Sequence, residues 1–308
     1  MSNAYCRVLS LDGGGAKGFY SLGVLKELEA LLGGALWERF DLIFGTSTGA
    51  IIAALLALGR SSDEVHELYK SHVVTIMAAK SPQAKTAALE RLAREVFGET
   101  KFDAMKTGVG IVTTKWALER PMIFKGRPEQ AHGRKGTFVP GFGCSVADAV
   151  QASCSAFPFF DRKTITTAQG DAVELADGGY CANNPTLYAI ADATAGLGVP
   201  RQDVRVVSIG VGVYPKPKVR LLSQAWWGKR LIGADLLDKT FEINTQAMEE
   251  LRGVLFKDVP TIRINDTFSQ PEMATDLFEH DLAKLNILRQ RGRESFASRE
   301  AELRRLLV

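Results

Sequence analysis

The chain has 308 residues, of which 46% are hydrophobic and 24% are charged, and its formal net charge at pH 7 is +3. This length and composition predict a soluble enzyme with one large α/β domain and an appended segment. A net charge this small, with basic residues that are not gathered into one long run, argues against a nucleic-acid polymer as a partner. No apolar run reaches the roughly 18 residues of a membrane span and no charged-then-apolar leader is present, so we expect a cytoplasmic protein.

The first predicted strand, over 7–11, leads into a glycine-rich loop, Asp12-Gly13-Gly14-Gly15-Ala16-Lys17-Gly18. Apolar spacing predicts a helix directly afterwards, over 19–32. Three consecutive glycines leave backbone N–H groups unobstructed at the start of that helix, where they are suited to an anion. In an acyl-transfer enzyme the anion is the oxygen of the tetrahedral intermediate. Lys17 would add positive charge or orient the loop.

Two nucleotide-binding motifs compete for the same loop, because Gly13, Gly15 and Gly18 also satisfy G-x-G-x-x-G after a strand. That fingerprint requires an acidic residue at the end of the second strand, and this chain has Gly45 and Ser47 there instead. A phosphate-binding P-loop requires Ser or Thr after the lysine, and Lys17 is followed by Gly18. We therefore disfavour both nucleotide interpretations of this loop.

A nucleophile elbow is predicted at Gly45-Thr46-Ser47-Thr48-Gly49, between the apolar strand 42–44 and the apolar run 50–58. The motif places a serine where a buried strand turns sharply into a buried helix. Gly45 and Gly49 are needed because the tight turn brings them against neighbouring backbone. Flanking strand and helix signals make this match stronger than an isolated turn sequence.

The middle of the chain predicts amphipathic helices over 61–75 and 84–97, a strand over 109–113 in a hairpin over 111–124, and a small-residue helix over 146–156. The loop after the hairpin is interpreted as solvated or as an edge of the active site. Its basic residues are Lys125, Arg127, Arg134 and Lys135. The aromatic residues after the small-residue helix are interpreted as core or as lining of a lipid cleft: Phe157, Phe159 and Phe160.

A strand predicted over 173–176 ends in Asp177-Gly178-Gly179, which places an acid at the end of a strand. Asp-Gly-Gly is also an ordinary tight turn, and on its own the motif would be structural more often than catalytic. A further strand is predicted over 204–209. The alternation of strands and helices favours a mostly parallel sheet covered on both faces.

After residue 213 the pattern becomes mainly helical, with helices predicted over 238–255 and 281–304 and a strand over 261–264. We expect residues 1–213 to form the catalytic core and residues 214–308 an extension that covers the cleft, senses a ligand or pairs subunits. The segment 216–232 combines basic residues with Trp226 and Trp227, which is typical of transient contact with a membrane surface and equally of a helix packed on the domain.

The order of glycine loop, serine elbow and Asp-Gly-Gly resembles the patatin-like phospholipase family over residues 8–213. The resemblance implies a three-layer fold and a Ser–Asp dyad, with Ser47 as nucleophile and Asp177 as its base. It assigns the oxyanion donors to the amides of Gly13, Gly14 and Gly15. Supporting positions in the loops are Lys17, Gly18, Gly45, Gly49, Gly178 and Gly179. Family members usually carry arginine where Lys17 stands, and lysine lacks the planar donor fork.

The histidines favour a dyad over a triad by elimination. In α/β-hydrolases the base histidine follows the serine and the acid along the chain, which leaves His280, in a segment that reads as a charged helix face. No metal is expected, and the cysteines, without C-x-x-C spacing, are interpreted as buried thiols. The other histidines are His66, His72 and His132, and the cysteines are Cys6, Cys144, Cys154 and Cys181.

The whole chain is similar to bacterial patatin-like effectors of anti-phage signalling systems, in which a cyclic nucleotide switches on the hydrolysis of membrane lipid. This similarity implies membrane phospholipids as substrate, action at the inner face of the cell membrane, and a cyclic di- or trinucleotide activator in place of a cofactor. The activator's phosphates would contact basic residues of 125–135 or 216–232. The alternatives are a constitutive lipase or transacylase, and a non-catalytic lipid-binding signalling module. A homo-oligomer is a further possible assembly of this chain.

Overall fold

The protein is described here by a computed structural model that covers residues 5–133, 135–217 and 226–308, without the side chains of residues 226–232. Within these ranges one sheet contains eight strands, paired in the order β5-β6-β3-β2-β1-β7-β8 with β4 beside β3. They are β1 Cys6–Leu11, β2 Leu42–Thr46, β3 Gly108–Lys115, β4 Arg120–Lys125, β5 Lys163–Thr166, β6 Ala172–Asp177, β7 Val204–Ile209 and β8 Thr261–Ile264.

The sheet is mixed, with the parallel strands at its centre. The pairs β1–β2, β1–β7, β2–β3 and β7–β8 are parallel, whereas β3–β4, β3–β6 and β5–β6 are antiparallel. Buried runs such as 42–46 mark the central strands, because both faces of a parallel strand are covered. The predicted α/β fold with a mostly parallel sheet is confirmed.

Helices cover the sheet, and α3 is buried at every position because it lies between the sheet and the other helices. The described helices are α1 Gly18–Leu32, α2 Leu36–Arg39, α3 Thr48–Ala57, α4 Ser62–Leu68, α5 Val74–Ala78, α6 Pro82–Val96, α7 Val146–Ser153, α8 Gly179–Ala182, α9 Thr186–Ala191, α10 Trp226–Leu255, α11 Leu282–Ala297 and α12 Glu300–Leu307. None of these helices is long and apolar enough to cross a membrane, as far as the described side chains allow.

Strand β8 and helix α11 both join the segment after residue 213 to the rest of the molecule. Strand β8 extends the sheet by pairing in parallel with β7. Helix α11 lies against α1, where Gly23 faces the backbone of Arg289 and Gly292 faces the backbone of Tyr20, so closely that a Cβ at either glycine would overlap the partner helix. The two glycines therefore allow the helix backbones to approach directly.

Candidate active site

Strands β2 and β6 meet end to end along one edge of β3. Strand β4 pairs with β3 over Gly110–Lys115, so β2 and β6 share the opposite edge. Strand β2 runs parallel to β3 and ends with Thr46 opposite Val112, whereas β6 runs the other way and ends with Asp177 opposite Thr113. Because Val112 and Thr113 are consecutive, the ends of the two strands, and with them Ser47 and Asp177, are brought together.

Ser47 occupies a sharp turn between β2 and α3, with backbone angles φ 54° and ψ −125°. A positive φ in a non-glycine residue is strained and is typical of a nucleophile elbow. A Cβ at Gly45 would overlap the backbone of Gly49, and one at Gly49 would overlap the carbonyl of Leu11. The two glycines therefore lie in the close approaches that the sequence predicts for an elbow.

The Ser47 hydroxyl donates a hydrogen bond of 2.7 Å from its Oγ to Oδ2 of Asp177. The other carboxylate oxygen, Oδ1, accepts the backbone N–H of Gly179 at 2.7 Å. Asp177 is fully buried, and burial raises the pKa of its carboxyl to about 7, although the hydrogen bonds from Ser47 and Gly179 act to lower it. A carboxyl with a pKa near neutrality is suited to accept a proton from a hydroxyl at ordinary pH.

Two hydroxyl side chains that the sequence analysis did not single out fix the backbone of the pair. The N–H of Ser47 donates to Oγ of Ser153 at 2.9 Å, and the Ser153 hydroxyl donates to the carbonyl of Val112 at 2.6 Å. Thr114 donates from its hydroxyl to the Asp177 carbonyl at 2.8 Å. Ser153 lies in α7, which corresponds to the small-residue helix predicted over 146–156. That predicted helix was the feature of the sequence that pointed to the region of Ser153.

The glycine loop presents two unoccupied amides beside Ser47. The Gly13 N–H donates to the carbonyl of Asn183 at 3.0 Å. The N–H groups of Gly14 and Gly15 have no hydrogen-bond partner among the described residues, and both glycines line the same cavity as Ser47. The Gly13 amide, which the family resemblance assigns as an oxyanion donor, is therefore already engaged, whereas the amides of Gly14 and Gly15 are free among the described residues. Gly15 has φ +59°, a conformation that favours glycine.

Two charged residues of the C-terminal segment form ion pairs with residues of the glycine loop. Lys17 donates from Nζ to Oδ1 of Asp238 on α10 at 3.2 Å. Arg263 on β8 donates from Nη1 to Oδ1 of Asp12 at 2.9 Å. Burial raises the pKa of Asp12 to about 6, against the opposing effect of Arg263. Sequence reasoning missed Arg263 and Asp238, because their partners lie more than two hundred positions away.

The remaining predicted support glycines make close contacts around the dyad. Gly18 abuts the ring of Tyr69, since a Cβ there would lie 3.0 Å from Cε1. Gly178 lies against the carbonyl of Val112, and Gly179 against the ring of Phe241, which a Cβ would approach to 3.0 Å. These positions tie the Asp-Gly-Gly turn to β3 and α10.

A narrow apolar cavity of about 40 Å³ opens beside Ser47, and we call it the nucleophile cavity. Of the three phenylalanines predicted as core or cleft lining, Phe160 lines the cavity. Phe159 packs against the ring of Phe278 at a centroid distance of 4.9 Å, and Phe157 packs against Trp116. The lining residues are Gly14, Gly15, Ser47, Thr48, Ile51, Val73, Ile76, Met77, Leu89, Cys154, Ala156, Phe160, Leu237, Phe241, Leu277 and Phe278.

None of the four histidines is among the residues that line the nucleophile cavity. His66 is buried against Phe19, and burial lowers its pKa to about 4, with Arg289 and Lys70 lowering it further. His132 bonds Asp192, with 2.6 Å between Nε2 and Oδ1. His72 lies 3.9 Å from Glu95, and His280 is exposed. The carboxylate that accepts the Ser47 hydroxyl is that of Asp177, and no histidine is bonded to Ser47 in the described structure.

The sequence analysis named two groups of basic residues, over 125–135 and 216–232, and the structure describes more of the first than of the second. Lys125 pairs with Asp192, and Lys216 pairs with Asp235 and Asp238. Arg127 donates to the Lys106 carbonyl. The predictions for Arg134, Lys218, Arg220, Trp226, Trp227, Lys229 and Arg230 concern side chains outside the described residues. Within the described parts of the chain, no three His, Cys, Asp or Glu side chains are grouped to hold a metal ion.

Comparison with known proteins gives a family match and several relatives. The patatin-like phospholipase profile matches residues 9–190. A cUMP-AMP-activated phospholipase of Escherichia coli is 64% identical over 98% of this chain and 94% of its own length. A cGAMP-activated phospholipase of Escherichia coli strain TW11681 is 28% identical over 73% of this chain and 70% of its own length. Among solved structures, VipD from Legionella pneumophila aligns with 96% of this chain and 66% of its own at 14% identity and a TM-score of 0.49.

Proposed function

The chain belongs to the patatin-like phospholipase family, and on this premise we propose that it is a serine acyl hydrolase that releases fatty acids from membrane glycerophospholipids. The observation that carries the proposal is the 2.7 Å hydrogen bond from Ser47 to Asp177 at the edge of an apolar cavity. A serine bonded to a buried carboxylate, with free amides close by, is the arrangement that acyl transfer requires.

In the first half of the reaction, Asp177 takes the proton of the Ser47 hydroxyl as Oγ bonds to the acyl carbon of the lipid. The carbonyl oxygen becomes an oxyanion, which the N–H groups of Gly14 and Gly15 hold. One such donor contributes roughly 3 to 4 kcal/mol to the stability of the transition state. The intermediate then collapses, the ester bond breaks, and the departing alcohol takes the proton from Asp177.

In the second half, water replaces the alcohol. Asp177 accepts a proton from the water as its oxygen bonds to the acyl carbon, and the same two amides hold the second oxyanion. Collapse of this intermediate breaks the bond to Ser47, whose Oγ recovers the proton. The products are a free fatty acid and regenerated enzyme, and every proton is carried by the serine–aspartate pair.

We further infer that a cyclic nucleotide switches this activity on. The support is the 64% identity to a relative that is named as cUMP-AMP-activated. In the described state the nucleophile cavity of about 40 Å³ is small compared with the ~300–1,000 Å³ of ordinary ligand pockets. A long acyl chain therefore requires the cavity to widen. The role that fits is an anti-phage effector that attacks the inner face of the cell membrane.

We propose different roles for the two parts of the chain, based on the residues that each contributes to the site. Residues 1–213 supply Ser47, Asp177 and the glycine loop as the catalytic core. Residues 214–308 form the extension, whose helix α10 contributes Leu237 and Phe241 to the cavity wall. Transient membrane contact through the segment with Trp226 and Trp227, and assembly into a homo-oligomer, belong to the same proposal.

The test is fatty acid release from vesicles of phosphatidylethanolamine and phosphatidylglycerol by the wild type and by Ser47→Ala, each with and without cUMP-AMP or cGAMP. We expect release by the wild type with one activator and none by the variant. Release without any nucleotide would identify a constitutive lipase. Absence of release by folded wild type under all conditions, together with vesicle binding, would favour a lipid-binding module instead.

A further inference from the structure

A second cavity, of about 550 Å³, is lined by residues of the hairpin formed by β3 and β4, and we call it the hairpin cavity. Its walls come from the hairpin, from residues 130–132 and 137–142, and from the segment 167–173. The volume falls within the ~300–1,000 Å³ that small-molecule sites occupy, and it is far larger than the nucleophile cavity. Nothing in the acyl-transfer chemistry uses this space.

One cation that lines the hairpin cavity, Lys115, has no anionic partner among the described residues. Lys115 lines the cavity and lies directly opposite Arg120 in the β3–β4 register. Neither side chain makes a hydrogen bond or an ion pair with another described residue. Like charges directly opposite each other destabilise an antiparallel pair, so this arrangement lacks the counter-charge that would relieve it. An anionic group bound in the cavity would supply that charge.

The rest of the lining suits a nucleobase. Phe138 is half-buried in the wall of the cavity, where a base can stack on its ring. Gln169 and Asp171 are exposed at the same wall and offer donor and acceptor groups for the edge of a base. Cations, an aromatic ring and polar side chains around one space are the chemistry that recognises a phosphodiester joined to bases.

We propose that the hairpin cavity binds the cyclic dinucleotide activator, with a phosphate at Lys115 and a base on Phe138. The assignment rests on the proposed function for the existence of an activator, and it adds the place where the activator binds. Lys125 and His132 also line the cavity, and both are bonded to the carboxylate of Asp192.

The cavity is linked to the dyad through two strands. Lys115 is paired with Leu175 on β6, two positions before Asp177. Its neighbour Thr114 donates to the Asp177 carbonyl at 2.8 Å. Val173, at the other end of the same strand, lines the cavity. A ligand that draws Lys115 and β6 toward the cavity therefore acts on the strand that carries the catalytic base.

The experiment measures cUMP-AMP and cGAMP binding to the full-length protein by titration calorimetry, in the wild type and in four variants. Lys115→Glu reverses the charge, Lys115→Arg preserves it, and Phe138→Ala removes the stacking surface. Lys257→Glu is the matched control, because this exposed lysine lies outside the cavity. The melting temperature of each protein without ligand reports whether it is folded.

We expect Lys115→Glu and Phe138→Ala each to weaken the binding of the preferred nucleotide at least tenfold, with Lys115→Arg and Lys257→Glu close to the wild type. Wild-type affinity in both Lys115→Glu and Phe138→Ala would overturn the site and leave an activated phospholipase standing. A wild type that hydrolyses vesicles but binds neither nucleotide would overturn both the activation and the site.

Discussion

At the scale of single residues, the pKa of Asp177 near 7 makes the activity depend on pH. Only the carboxylate form accepts the proton of Ser47, so we expect kcat/KM to fall about tenfold for each pH unit below 7. Asp177→Asn cannot accept that proton and should lose roughly 10²–10⁴-fold of the activity at every pH. A pH–rate profile on a soluble short-chain ester measures both effects.

The control for Asp177 is Glu67→Gln, at an exposed carboxylate of α4, which should keep the wild-type profile. The melting temperature gives a second measurement of the same pKa. Activity is lost as the pH falls, whereas the contribution of Asp177 to stability is lost as the pH rises. The folded pKa of Asp177 lies above the ordinary value of 3.8, so its contribution to stability is full below about pH 3.8 and is lost as the pH rises from there through about 7. Asp177→Asn should therefore gain melting temperature relative to the wild type as the pH rises from about 4 to about 7. Equal pH dependence in the two proteins would contradict the raised pKa.

The residues nearest the chemistry were predictable because their surroundings are local in sequence. Ser47 and Asp177 each lie at the end of an apolar strand and have glycines within two positions. The sequence immediately around each residue is therefore enough to predict a tight turn there. Thr114 and Arg263 were not predictable, because their roles come from contacts across the sheet and neither residue has distinctive neighbours in the sequence. The predicted small-residue helix pointed to the region of Ser153 but not to its bond with the Ser47 N–H.

At the scale of elements, the glycine loop tolerates no side chain at Gly15. Its φ is +59°, and a Cβ would overlap the backbone of Leu277. Gly15→Ala should cost about 1 to 3 kcal/mol of unfolding free energy from backbone strain. Because the Gly15 amide moves away from the oxyanion, kcat should fall by roughly 10²–10³. Chemical denaturation and ester hydrolysis measure the two effects.

Gly136→Ala is the matched control for Gly15→Ala, since a Cβ at Gly136 has no neighbour within 4 Å. We expect this variant to keep its stability and its activity. If Gly15→Ala retained wild-type kcat in a folded protein, the amide of Gly15 would have no part in holding the oxyanion.

The strands were more predictable than the helices. Runs such as 204–209 are buried on both faces, and their continuous apolar sequence marks them as strands. Strand β5 was missed because Ile165 is its one buried residue. The helix predicted over 61–75 is divided into α4 and α5 by a π-helical turn over Tyr69–Val73. The one over 281–304 is interrupted at Ser298 and Arg299. These breaks follow from packing against other elements, which apolar periodicity does not record.

At the scale of the whole molecule, the ion pair between Lys17 and Asp238 joins the glycine loop to α10. Both side chains are mostly buried, with relative exposures of 10% and 16%. Asp238→Ala leaves Lys17 without its partner, so we expect a loss of about 3 kcal/mol of unfolding free energy and a lower kcat. Chemical denaturation and vesicle hydrolysis measure the two effects.

Asp235→Ala is the control for this pair. Asp235 also binds Lys216, but it is exposed and does not contact Lys17. Its removal should leave stability and kcat at the wild-type level, because exposed ion pairs are screened by solvent. Identical losses in the two variants would mean that the charge of α10, rather than the contact with the loop, is what matters.

The meeting of β2 and β6 on β3 fixes the spacing of Ser47 and Asp177 independently of the long chain segment between them. Ser47 and Asp177 are 130 positions apart in the chain, yet one peptide step of β3, from Val112 to Thr113, sets their distance in space. Residues 126–133 and 135–144 take no part in these strand pairings, so this part of the chain can change in length and composition while Ser47 and Asp177 stay aligned. The sheet, and not the sequence between the two residues, therefore preserves the site.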